Sequence, residues 1–284
     1  NPIDEYRIDR IVEHIAKNGL NPIETNIDNI MKGSCCILFD ATADVIFEPS
    51  KLLPVTGKRY SSDIEFKHFP QTIKRKNDSK MNRSIMIQAQ STIDMISHII
   101  GSGEKVLIVT WKTVDFFTMP KDDMIDNAVS IKTTSSFVDL IREALLKKVP
   151  GETFDVIYRG SGADRASNEY RDYSVVVFWG EWLIPDTTAK EIGHFFNTKC
   201  SLQDYKLSLI IQTIGRLRIR QHKKLPIKVY FSDDIDFGLM YKVQEYFINN
   251  SESSCSIKGV PDPSHKHSKT EKKYLFDLAI LCRA

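Results

Sequence analysis

Four short apolar runs limit what this chain of 284 residues can become: KVLIVTW at 105–111, TFDVIY at 153–158, SVVVFWG at 174–180 and IKVYF at 227–231. A strand that is apolar at nearly every position presents an apolar surface on both of its faces. It is stable only when both are covered. The segments between the runs supply covers, because apolar residues recur there at helical spacing over 84–100, 135–148, 201–221 and 234–249. Ser135 or Ser136 is placed to cap the second of these helices. Ser201 and Asp204 form the capping-box pattern at the head of the third. Strands alternating with helices predict an α/β fold: a mainly parallel sheet with helices on both faces, in three layers. Ligands of such sheets collect outside the carboxyl ends of the strands.

The flanks are less regular. A helix is expected at 4–18, a short strand and polar loop at 35–44, and a connector at 48–80 with one strand near 64–69. Residues 249–269 read as a flexible segment, followed by a last helix at 270–281.

Charge and cysteine content exclude some function classes. Lysine and arginine number 39 and aspartate and glutamate 37, a net charge of +2, so any affinity for nucleic acid must come from local patches. Such patches occur at Lys74–Lys80 and at 265–273, where a solvated charge run is the alternative reading. No apolar run reaches the about 18 residues of a membrane span, so no membrane partner is expected. The five cysteines form no CxxC pair or His–Cys cluster. That pattern fits a reduced, intracellular protein and supports no metal site.

The segment LIIQTIGRLRIRQ at 209–221 is the most specific feature. If the helix runs from 202 to 221, Leu207, Ile210, Ile214 and Leu217 form one stripe. Gln212, Arg216 and Arg220 then form another, nearly opposite and facing outward. A solvated basic face is one reading. Two features favour a ligand instead: planar guanidinium groups suit phosphate, and Gly215 in mid-helix costs about 1 kcal/mol relative to alanine.

QTIGRLR resembles motif VI of superfamily 2 helicases, Q-x-x-G-R-x-x-R, through Gln212, Gly215 and Arg216. The last position of the pattern falls on Ile219, with Arg218 and Arg220 on either side. Other stretches resemble further helicase motifs in the family's order. ILFDATAD at 37–44 resembles motif III through Ala41 and Thr42, with Asp40 where a hydroxyl residue is usual. GEKVLIVTWKTVDFF at 103–117 resembles motif IV, and the segment 158–180 resembles motif V with Asn168 where aspartate is frequent.

The resemblance implies a RecA-like (P-loop NTPase-type) fold and the C-terminal part of an ATP-dependent DNA or RNA helicase. Residues 1–60 would end a first RecA-like domain and connect it to a second at 61–250, leaving 251–284 as a flexible segment and a helix. Arg216 and Arg220 would act catalytically on the γ-phosphoryl group, with Gln212, Gly215 and Asn168 near the nucleotide. Thr110, Gly160, Ser161, Gly162, Arg165 and Ser167 would contact nucleic acid, with Arg159 and Arg171 adding positive charge. Trp111, Trp179 and Trp182 could stack on bases, with a place in the core as the equal alternative for Trp111 and Trp179 at their strand ends.

The parts that cradle ATP and Mg²⁺ are missing from the sequence. Gly57-Lys58 is followed by Arg59 and has no glycine five residues earlier, and no acidic pair ends an apolar strand. An upstream RecA-like domain carrying the phosphate loop is therefore an expected partner, lying before residue 1. The isolated chain is expected to be inactive. Two alternatives stand beside this reading. One is a helicase-like module that binds nucleic acid or protein without ATPase activity. The other is an unrelated nucleotide-binding enzyme using His68, His194 and the acidic pairs Asp122-Asp123 and Asp233-Asp234, for which no motif speaks.

Overall fold

The computed structural model describes residues 42–47, 58–69, 85–118, 131–161, 169–182, 184–195, 198–220 and 225–259. Among these residues eight strands lie in chain order: β1 (Ile64–Phe69), β2 (Val106–Thr110), β3 (Thr113–Thr118), β4 (Ile131–Ser136), β5 (Phe154–Tyr158), β6 (Val175–Phe178), β7 (Ile227–Ser232) and β8 (Ile257–Lys258). The helices are α1 (Ala43–Ile46), α2 (Ile85–Gly101), α3 (Phe137–Leu146), α4 (Asp186–Phe195), α5 (Leu202–Ile214) and α6 (Phe237–Asn250).

Six strands form one sheet in the order β5-β2-β6-β7-β1-β8, with every pairing parallel. Strand β2 is buried at all five positions and β6 at all four, as their apolar runs require. Alternate residues serve opposite faces. Leu107, Val109, Val176 and Phe178 pack into a core shared with α4, α5 and α6. Val106, Ile108, Val175 and Val177 pack into a second core shared with α2 and α3. The result is the three-layer α/β sandwich with a parallel sheet expected of a RecA-like fold.

Several local expectations hold. Ser136 caps α3 by accepting a hydrogen bond from the Asp139 amide. Ser201 and Asp204 form the reciprocal capping box at the start of α5. Other features differ from the sequence reading. The strand within the connector is interior, with β1 paired to β7 along its whole length and to β8 beyond it. Strands β3 and β4 form a separate antiparallel hairpin between β2 and α3. Helix α4 precedes α5. The expected helices at 4–18 and 270–281, the basic patches at 74–80 and 265–273, and Asp122-Asp123 lie outside the described residues.

Topology defines where loops converge. After β2 the chain passes to the layer holding α3, whereas after β6 it passes to the layer holding α4 and α5. The carboxyl ends of these neighbouring strands therefore form a topological switch point, the usual position of a ligand crevice.

Candidate functional site

The expected site residues divide between opposite ends of the sheet. At the carboxyl end lie Thr110, Gly160 and Ser161, each following or ending a strand. Thr110 is wholly buried, and its hydroxyl has no hydrogen-bond partner among the described residues. The Ser161 hydroxyl oxygen is likewise buried and unpartnered, in a turn where Gly160 adopts a left-handed φ of +82°. Gly162, Arg165, Ser167 and Asn168 lie outside the described residues.

Around these positions the polar groups hold the loop after β6. Trp111 Nε1 donates to the Glu181 carbonyl at 2.9 Å. Arg159 donates to the carbonyls of Trp179 (3.2 Å), Gly180 and Glu181 (2.7 Å), and its guanidinium lies 4.5 Å from the centre of the Trp182 ring. The Gly180 amide donates to Ser232 Oγ at 2.8 Å, and the Glu181 amide to Asp234 Oδ2 at 2.8 Å. The Ser232 hydroxyl in turn donates to Asp234. Gly180 is required here. It adopts φ +93°, and a Cβ at this position would sit 2.5 Å from the Trp111 ring.

These contacts bear on the sequence expectations for Arg159 and the three tryptophans. Arg159 is turned to the carbonyls of the loop after β6, because a planar cation with several donors is the group best able to collect three adjacent carbonyls. Trp111, Trp179 and Trp182 are all buried, so none presents a face for base stacking. Their ring area is held in the two cores, with Phe137 packed against both Trp111 and Trp179 and Phe178 against Trp182. Asp233 and Asp234 lie just past β7, at the same end as this loop. Nearby His68 packs against Phe237, and burial lowers its pKa although Asp233 opposes the shift. Among the described residues no cluster of histidine, cysteine and carboxylate could hold a metal ion.

Motif-VI-like residues lie at the other end. Helix α5 stops at Ile214, and the chain continues as a tight turn with Arg218–Arg220 in a 3-10 helix. The Arg218 amide donates to the Tyr173 carbonyl, just before β6. The Arg218 guanidinium donates through Nε (2.8 Å) and Nη2 to the Pro226 carbonyl, just before β7. It also faces Glu104, just before β2, at 3.9 Å. This is the amino edge of the sheet.

The single stripe expected of Gln212, Arg216 and Arg220 is therefore not formed. The helix ends between the first and second of them because Leu217 and Ile219 turn inward to fill the core. Gly215 caps the helix rather than occupying its middle, with a helical φ of −63° that any residue adopts. Ile219, at the final motif position, is 2 % exposed. Arg216 is half-buried at the helix end. The backbone of Arg220 lies in the 3-10 turn.

Gln212 makes a contact that the sequence did not disclose. Its Nε2 donates to Thr42 Oγ1 at 2.9 Å, and Thr42 is fully buried. Helix α1 is held further by Asp44, which receives Arg59 Nη1 at 3.2 Å, and by the Ile46 carbonyl, which accepts from Thr198 Oγ1 at 3.0 Å. The segments resembling motifs III and VI thus meet directly. Ala41 and Asp40 lie outside the described residues.

Glu104 was also not anticipated. Its carboxylate accepts Lys228 Nζ at 3.1 Å and faces Arg218. Burial alone would raise its pKa. The hydrogen bonds of Ser174 and Lys228 and the charges of Lys228 and Arg218 outweigh burial and hold the group below the usual carboxylate range.

Among the described residues no helix is long and apolar enough to cross a membrane. Compared with protein-family models, with curated proteins and with solved structures, the chain matches none.

Proposed function

We propose that this chain is the C-terminal part of an ATP-dependent superfamily 2 DNA or RNA helicase or translocase. The observation that carries the reading is the Gln212–Thr42 hydrogen bond. It joins two segments, 170 residues apart, that resemble different motifs of one family. The parallel sheet and the order of the four motif-like segments along the chain support the same reading.

In this proposal Arg216, at the end of α5, stabilises charge on the transferring γ-phosphoryl group of an ATP held with Mg²⁺ by an upstream RecA-like domain. Gln212 senses the same nucleotide, and its contact with Thr42 links that site to the segment leading to the upstream domain. The carboxyl edge, with the turn at Gly160 and Ser161, tracks a single strand through its backbone phosphates. Nucleotide-dependent closure of the two domains would convert hydrolysis into stepping.

A second reading is a helicase-like binding module without ATPase activity. It is favoured by the burial of Ile219 at the final motif position and by the engagement of Arg218 within the domain. One comparison separates the two. ATP hydrolysis is measured with single-stranded nucleic acid, for this chain and for the protein extended by its native upstream sequence. Hydrolysis by the extended protein alone is expected. Robust turnover by the 284-residue chain, or none by the extended protein, would overturn the helicase reading.

A further inference from the structure

The sheet ends in two unlike edges. Strand β8 is only two residues long, which limits its use as a template for another strand. Strand β5 is five residues long, and among the described residues no strand pairs with its outer side, which makes it the greater liability. The Arg159 amide donates to the Thr110 carbonyl, which sets the alternation along β5. Odd-numbered residues direct their main-chain groups to β2, so Val156, near the middle of the strand, directs its N–H and C=O outward.

Both outward groups of Val156 are occupied by side chains of the same domain. Its N–H donates to Asp155 Oδ1 at 2.7 Å. Its C=O accepts Arg142 Nη2 at 2.9 Å. The same Nη2 reaches Asp155 Oδ1 at 3.2 Å, and Tyr170 OH donates to Asp155 Oδ2 at 3.0 Å. Arg142 belongs to α3, on one face of the sheet. Asp155 alternates with Phe154 and Val156, which pack toward that face, and so projects to the other. The guanidinium therefore passes around the rim of the sheet to reach its carboxylate. At the distal end of the strand, the Tyr158 carbonyl accepts the Ser161 amide and is closed as well.

We infer that Arg142 and Asp155 form a clasp that closes the β5 edge against strand addition, and that a second copy of this chain is the occupant it excludes. A second copy is the natural occupant because it carries the same five-residue edge. Two such edges can pair about a two-fold axis, each supplying the donors and acceptors the other lacks. The inference is independent of any nucleotide chemistry.

The test compares wild type with Arg142→Met and Asp155→Ala by sedimentation equilibrium over a range of concentrations. Hydrogen exchange at the Val156 amide is followed in parallel. Arg142→Met keeps the stem and helix propensity of a half-exposed side chain, so folding is retained. Lys148→Ala, which removes an exposed ion pair between Lys148 and Asp94, is the control. Both edge variants should shift from one copy toward two as concentration rises, with Val156 protection rising in step. Lys148→Ala should behave as wild type.

Folded edge variants that associate no more than wild type would overturn the inference. So would a Val156 amide in the wild-type chain that exchanges as fast as an exposed one, a measurement that needs no variant.

Discussion

The two ends of the sheet are built on different plans. At the carboxyl end, side chains from β2, β5 and β7 reach into the main chain of one loop. Trp111, Arg159, Ser232 and Asp234 together satisfy the carbonyls of residues 179–181 and the amides of Gly180 and Glu181. At the amino end a helix stops short, one arginine is braced by Pro226 and Glu104, and the next motif arginine sits half-buried beside it. Polar residues gathered at strand ends are thus not all of one kind. The first group fixes a loop, while the second joins strand ends and places the Gln212 side chain against Thr42 beside α1. The general rule about carboxyl ends directs attention to the first group, whereas the residues that resemble motif VI are in the second.

The comparison breaks most sharply at Gly180. Gly180→Ala forces a Cβ into the Trp111 ring and a strained left-handed φ, and should cost about 2–4 kcal/mol in a denaturant titration. A loss below 0.5 kcal/mol, on the scale of ordinary surface substitutions, would mean the loop is not held as described. Arg159→Ala follows. It removes a charged donor to three carbonyls and the contact with Trp182, at about 2–3 kcal/mol in the same titration.

Substitutions at the amino end should be milder. Arg218→Ala should cost about 1–1.5 kcal/mol, and Glu104 gives this brace a pH signature. Its folded pKa lies below the ordinary value of 4.5, so its contribution is complete above that value. It is lost as pH falls through the lower folded value. Glu104→Gln should flatten the acid limb of the stability curve in that window. An acid limb unchanged from wild type would remove Glu104 from the brace. Thr42→Val should be the smallest change, about 1 kcal/mol from loss of the Gln212 partner. A neutral result would show that α1 is held without that contact.

The strands were legible because a continuous apolar run leaves little choice, and β2 and β6 read directly from KVLIVTW and SVVVFWG. The hairpin was not. Its second strand, IKTTSS, has no apolar face to mark it. Helix α4 was hidden for a related reason, since DTTAKEIGHF carries two threonines and a glycine that weaken a helical pattern. The end of α5 was misread because apolar residues continue past it. Leu217 and Ile219 are buried in the turn, so the pattern of burial outlasts the helix. Only Gly215 marked the stop. The meeting of Gln212 with Thr42 had no local signal, because a tertiary hydrogen bond across 170 residues leaves none.

The central claim rests on Arg216. Steady-state ATP hydrolysis, stimulated by single-stranded nucleic acid, should be compared for wild type and Arg216→Ala in the protein extended by its native upstream sequence. The account predicts a fall in kcat of about 10³-fold or more, with single-strand affinity retained. An unchanged kcat would contradict it.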